Sequence, residues 1–120
     1  RSGESISTAL ESLDDLPVSG ILVNCCTPES ITKAMPDLVK TKIKFIGGYA
    51  NAFMPIPSDW TLDGDKDSDG MLDLRTNLDP DAYGVYATEW LEAGATIVGG
   101  CCGTRPAHIA KIRQIMDNPK

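Results

Sequence analysis

Two apolar runs of this chain end in adjacent cysteines, and that coincidence restricts its folds sharply. Ile21-Leu22-Val23-Asn24 leads into Cys25-Cys26-Thr27-Pro28, and Ala95-Thr96-Ile97-Val98 leads into Gly99-Gly100-Cys101-Cys102-Gly103 and then Thr104-Arg105-Pro106-Ala107-His108-Ile109. Each reads as a strand handing over to a helix. In α/β proteins the carboxyl ends of strands are where ligands and catalytic groups collect. If both strands belong to one parallel sheet or barrel, the two thiol-bearing ends lie close together and a site of three thiolates becomes possible.

Adjacent cysteines on a regular strand point to opposite faces. Gly99, Gly100 and Gly103 are the residues expected to let the backbone bend. With a bend, both sulfurs of a pair converge on one ion; without it, one of them is a small buried side chain. The clusters stand about 75 residues apart, which excludes the local knuckles of structural zinc modules, whose ligands come in pairs two to four residues apart. Three protein ligands with an open fourth position mark catalytic zinc, and Cys26 points away from Cys25 if the strand stays regular.

At 120 residues the chain holds one domain at most, and it is short for a closed barrel, which needs about 250 residues. Apolar residues make up 42% and charged residues 23%, ordinary for a globular protein. The net charge of −6 argues against nucleic acid as a partner, since binding it requires clustered Lys and Arg. No apolar run reaches the roughly 20 residues of a membrane span. The acidity is local: eight aspartates lie between Asp59 and Asp81 against Lys66 and Arg75, and the remainder balances. Four cysteines in two vicinal pairs do not resemble a secreted disulfide framework, so a reducing cytoplasm is the expected setting. With Arg1 as first residue, the start of the gene product is expected upstream.

Along the chain, Ile6, Ala9, Leu10 and Leu13 predict an amphipathic helix closed by Pro17. A strand follows from Gly20 to Asn24. Thr27 is the expected cap of a second helix, with Pro28 at its first position, Ile31, Ala34, Met35 and Leu38 as its buried stripe, and Pro36 kinking or splitting it. A buried parallel strand is predicted from about Ile43 to Tyr49. Asp79-Pro80 starts a helix lined by Ala82, Tyr86 and Trp90 and ended by Gly94. After the strand of Ala95 to Val98, a last helix runs from Pro106 to about Met116 with Ile109, Ile112, Ile115 and Met116 on one face. A helix followed by three strand–helix units is the grammar of parallel α/β folds, open or closed.

His108, in the first turn of that last helix, reads as a capping or packing residue. Asp65-Lys66-Asp67-Ser68-Asp69-Gly70 begins like a calcium loop, but Thr76 stands at its twelfth position where a bidentate glutamate belongs, so a solvated acidic loop is expected. Asn24 and Tyr49-Ala50-Asn51 share the thiol end of the sheet. They are suited both to orienting a thiolate or substrate and to forming turns.

The Asn24-Cys25 step, together with Gly99-Gly100-Cys101-Cys102-Gly103 followed by Pro106, His108 and Ile109, resembles the homocysteine S-methyltransferase family. The similarity takes in Gly3-Glu4-Ser5, Tyr49, Asn51, Trp90 and Gly94, and so covers essentially the whole chain. It implies that residues 1–120 form the carboxyl-terminal part of one homocysteine-binding domain, namely strands six to eight of a (β/α)₈ TIM barrel whose first five strands are absent. It also implies zinc held by Cys25, Cys101 and Cys102, with no role for Cys26. The implied reaction is zinc-dependent methyl transfer from a small donor to the thiol of homocysteine, giving methionine, with Asn24, Tyr49 and Asn51 as substrate-binding or supporting groups. Two departures, Arg105 in place of a threonine and Ala107 in place of a glutamate, weaken the last helix start by about 1 kcal/mol or less each.

The piece alone is expected to be inactive and to self-associate through open sheet edges. The acidic insert, about residues 52–78, is expected to lie over the thiol end as a lid. The alternative is a thiolate metal-binding module without turnover. A dithiol redox protein is disfavoured because the chain has no Cys-x-x-Cys.

Overall fold

Local signals start each long helix. In the computed structural model, which describes residues 3–53 and 74–118, the elements are α1 (Ile6–Glu11), β1 (Gly20–Asn24), α2 (Pro28–Lys40), β2 (Phe45–Ala50), α3 (Pro80–Ala93), β3 (Ile97–Gly100) and α4 (Pro106–Asp117). Proline occupies the opening turn of α2, α3 and α4, where its missing N–H costs nothing. Asp79 caps α3 by accepting from the Ala82 N–H at 2.8 Å. Thr27 stands at the cap position of α2, but its hydroxyl pairs with Ser30 Oγ at 2.9 Å instead of with a backbone N–H. At α4, His108 Nδ1 accepts from the Arg105 N–H at 3.1 Å. His108 is therefore a cap and a packing residue.

Several predicted elements shift. The first helix stops at Glu11, short of Pro17, and continues as tight turns in which Leu13, Asp14 and Leu16 bond carbonyls three residues back. Helix α2 runs unbroken through Pro36. The proline ring is exposed, while Ile31, Ala34, Met35 and Leu38 hold the segment against the core on either side of it. Strand β3 begins two residues later than expected and takes in both Gly99 and Gly100. In α4, Ile112 is buried but Ile109 and Met116 are exposed, so the inner face is His108 and Ile112.

The three strands form one parallel sheet in sequence order, β1-β2-β3. The crossover helices α2 and α3 pack on each other, and α3 packs on α4. Right-handed crossovers between strands in sequential order place helices on one face of a sheet. That face carries Ile21, Val23, Ile46, Ala50 and Val98, which join Ile31, Met35, Leu38, Tyr83, Ala87, Trp90 and Ile112 in the core. The register rows Leu22–Gly47–Ile97 and Asn24–Tyr49–Gly99 look the other way. Phe45 and Ile97 on that second face are 39% and 41% exposed. Gly47 is required at its position because a β-carbon there would collide with the Ile97 carbonyl oxygen of the neighbouring strand.

The arrangement is a parallel α/β sheet layer compatible with part of a TIM barrel. Among the described residues no helix is long and apolar enough to cross a membrane. The calcium-like stretch and most of the acidic insert, residues 54–73, lie outside the described residues, as does the expected lid.

Candidate metal centre

The end of β2 is the spine from which both cysteine loops hang. On one side Cys25 N–H donates to Tyr49 O at 3.1 Å, and Asn51 N–H donates to Cys26 O at 2.9 Å. On the other, Cys101 N–H donates to Ala50 O at 2.8 Å, and Ala52 N–H donates to Cys102 O at 2.9 Å. Thr104 then closes the second loop, its hydroxyl donating to Cys101 O at 2.6 Å.

The bend that gathers the sulfurs is only partly where the glycines suggested. Cys25 itself adopts φ 52°, and Gly103 adopts φ 80°, whereas Gly99 and Gly100 remain in the strand. Left-handed backbone at a non-glycine residue costs about 1–2 kcal/mol. It breaks the alternation that would otherwise send the Cys25 side chain toward the helices. Gly100 is small for another reason: a β-carbon there would collide with the Thr104 side chain.

The result is a cluster of Cys25, Cys101 and Cys102 whose sulfur atoms all lie within 4.8 Å of one another. Cys25 Sγ and Cys101 Sγ are each 3.9 Å from Cys102 Sγ. Tetrahedral coordination with Zn–S bonds of about 2.3 Å sets sulfur atoms about 3.8 Å apart, so the spacing suits a shared zinc ion. Burial, and then the neighbouring Cys25 and Cys102 thiols, push Cys101 up to about 11. Cys102 is exposed and the other two are half-buried, which leaves the cluster open to a small thiol.

Cys26 does not join them. Its side chain packs against the core, and burial followed by the charge of Cys25 raises its pKa. Asn24 and Tyr49 share one register row on the second face of the sheet, with Asn24 exposed and Tyr49 half-buried. Asn51 is buried; its Oδ1 accepts from the Phe53 N–H at 3.2 Å, while Nδ2 has no partner among the described residues.

Two supporting residues escaped the periodicity argument. The stripe of α3 was expected at Ala82, Tyr86 and Trp90, but the buried positions are Tyr83, Gly84, Ala87 and Trp90. Tyr83 turns inward because its hydroxyl accepts from Ala50 N–H at 3.0 Å and donates to Gly99 O at 2.8 Å, joining β2 to β3 beside the thiol loops. Tyr83→Phe removes this bridge and strands two buried backbone groups, so it is expected to lower stability by about 1–3 kcal/mol, read from the midpoint of urea unfolding. An unchanged midpoint would show the bridge to be dispensable.

The other is Arg75, whose guanidinium forks onto the Glu29 carboxylate with two bonds of 2.8 Å. Arg75, together with the Tyr86 hydroxyl at 2.8 Å, holds Glu29 down at about 2. The only signal in the sequence was a lone arginine amid aspartates.

Residues 1–116 match the sequence profile of homocysteine S-methyltransferase. The chain belongs to the homocysteine S-methyltransferase family. Among individual relatives, it is 30% identical over 115 residues to homocysteine S-methyltransferase 4 of Zea mays, covering 92% of this chain and 30% of that protein. It is 33% identical over 120 residues to the selenocysteine methyltransferase of Astragalus bisulcatus, covering 98% and 32%. It is 31% identical over 119 residues to the methionine synthase of Mycobacterium tuberculosis, covering 98% and 9%. The chain spans about a third of the length of the homocysteine S-methyltransferases it matches. Membership in this family gives the cluster of three cysteines its chemical context.

Proposed function

We propose that this chain is the carboxyl-terminal part, strands six to eight, of a (β/α)₈ enzyme that transfers a methyl group to the sulfur of homocysteine, giving methionine, with zinc held by Cys25, Cys101 and Cys102. The observation that carries the proposal is the convergence of three sulfur atoms, from loops 77 residues apart at the extreme, at the spacing zinc requires. Three soft thiolates favour zinc over magnesium or calcium. Zinc bound there supplies Lewis acidity that lowers the pKa of a substrate thiol in the remaining position.

The chain's own residues do the rest. The hydrogen bonds from the β2 end fix both cysteine loops, so little reorganisation is needed to gather the donors. The exposed side of Cys102 is the approach for a thiol. Asn51 presents a buried Nδ2 without a partner among the described residues at the same strand end, a donor for a substrate or a thiolate, and Tyr49 and Asn24 flank it on the row below. The apolar second face, with Leu22, Phe45 and Ile97, and the edges of β1 and β3 that are unpaired among the described residues are surfaces on which the other strands of a barrel would pair and pack. The isolated chain would self-associate through the same surfaces.

The test is to purify the complete protein that carries this segment, measure its zinc content and supply homocysteine with S-methylmethionine, S-adenosylmethionine or betaine. One zinc per chain with methionine formed from one of these donors is expected, and selenocysteine is to be tried as a second acceptor. Zinc without methyl transfer to any acceptor would instead indicate a metal-binding module. Absence of stoichiometric zinc would overturn the site.

A further inference from the structure

We infer that the Arg75–Glu29–Tyr86 clamp is a positioning device for the metal centre, holding the two cysteine loops at the separation the metal requires. The inference rests on the zinc-site reading above and adds residues to it. Glu29 lies in the first turn of α2, four residues after Cys25, so whatever fixes Glu29 fixes the helix that begins as the first cysteine loop ends. Tyr86 brings the third element, α3, onto the same carboxylate.

Arg75 reaches the other loop through its backbone. Its N–H donates to Ala52 O at 2.8 Å, and Ala52 N–H in turn donates to Cys102 O at 2.9 Å. The preceding residue, Leu74, pairs with Phe53 across an antiparallel bridge. It also packs so closely on Gly103 that a β-carbon there would lie 2.7 Å from Leu74 Cδ2. A single residue therefore ties α2, just past Cys25, to the backbone of Cys102. This tie shares the Ala52–Cys102 bond with the β2 spine and adds to it the link to α2 through Glu29.

The guanidinium side chain is only 11% exposed, against 44% for its partner, and its Nε donates to Asn77 Oδ1 at 3.1 Å. A planar fork held at both ends has little freedom, which is what positioning demands and what a lysine cannot reproduce. Because Glu29 neutralises Arg75, the pair adds little net field at the thiols. Its effect is on distance and not on charge.

The experiment is a competitive titration of zinc against a chromophoric chelator, at low temperature, on the complete protein and its variants, with far-UV circular dichroism as a check on folding. Arg75→Gln is expected to weaken zinc binding about tenfold, the scale of groups that orient metal ligands. Arg75→Lys is expected to fall between it and the unaltered protein, and Glu29→Gln in the Arg75→Gln background to add nothing. Arg113→Gln, which breaks an exposed pair with Asp117 on α4, is the control and leaves affinity unchanged. A purely structural clamp would lower the melting temperature without moving zinc affinity in the folded protein. Affinity within twofold of the unaltered protein for folded Arg75→Gln, or additive losses in the double variant, would overturn the inference. If Arg75→Gln does not fold, Arg75→Lys decides alone, and undiminished affinity there overturns it. Failure of the unaltered protein to bind zinc would instead remove the metal centre itself.

Discussion

Replacing Cys25, Cys101 or Cys102 by serine in the complete protein is expected to strip bound zinc and take methyl transfer to background, whereas Cys26→Ser leaves both within about twofold of the unaltered protein. A serine hydroxyl stays protonated at neutral pH and is a hard donor, so it replaces a thiolate poorly on zinc. The loss at each ligand should exceed the roughly 10–100-fold typical of groups that merely orient ligands. The three positions are equivalent in this respect because all three sulfur atoms lie within 4.8 Å of one another. Cys26 differs because its side chain packs on the core, so a serine there costs stability, about 1 kcal/mol, and not metal. Zinc by atomic absorption and methionine formation by chromatography read the two effects separately. Stoichiometric zinc with normal turnover after both Cys101 and Cys102 became serine would refute the assignment.

Trp90→Ala is expected to cost about 3–5 kcal/mol, a large share of the 5–15 kcal/mol by which a domain is typically stable. The indole is fully buried. Its Nε1 donates to Thr32 Oγ1 at 2.9 Å, linking α3 to α2, and its ring meets Tyr83 edge-on with centroids 5.9 Å apart. Truncation therefore opens a cavity, leaves the Thr32 hydroxyl without its donor and removes an aromatic contact. Trp90 lies near the carboxyl end of α3 and makes none of the hydrogen bonds that hold the cysteine loops. Zinc affinity of the folded variant should accordingly remain unchanged while the urea midpoint falls steeply. A loss below about 1 kcal/mol would mean that the core closes around the gap far better than its packing implies.

Much of the fold could be read locally. Pro28, Asp79-Pro80 and Pro106 marked helix starts through chemistry confined to one turn, and the apolar runs marked the strands. Phase was harder to read than presence. Tyr83 and Tyr86 sit three residues apart on a helix apolar nearly all round, so periodicity could not say which was inward. The choice fell to Tyr83 because a hydroxyl at that point bridges Ala50 and Gly99, two backbone groups that come together only in the assembled sheet. Pro36 was expected to interrupt α2, and packing of Ile31 through Leu38 overrode it.

The site divides along the same line. The chain by itself determined the donor types, their placement at the ends of parallel strands and the family to which it belongs, because thiol identity and strand–helix grammar are properties of short segments. Tertiary structure alone decided that the turn at Cys25 is made by the cysteine in left-handed backbone, and that Cys26 faces the core. It also decided that Arg75, one cation in an acidic stretch, is committed to Glu29 46 residues away. Such choices depend on what lies opposite each group once distant segments meet. Hydrogen bonds and ion pairs act over a few ångströms in space, whatever the separation along the chain.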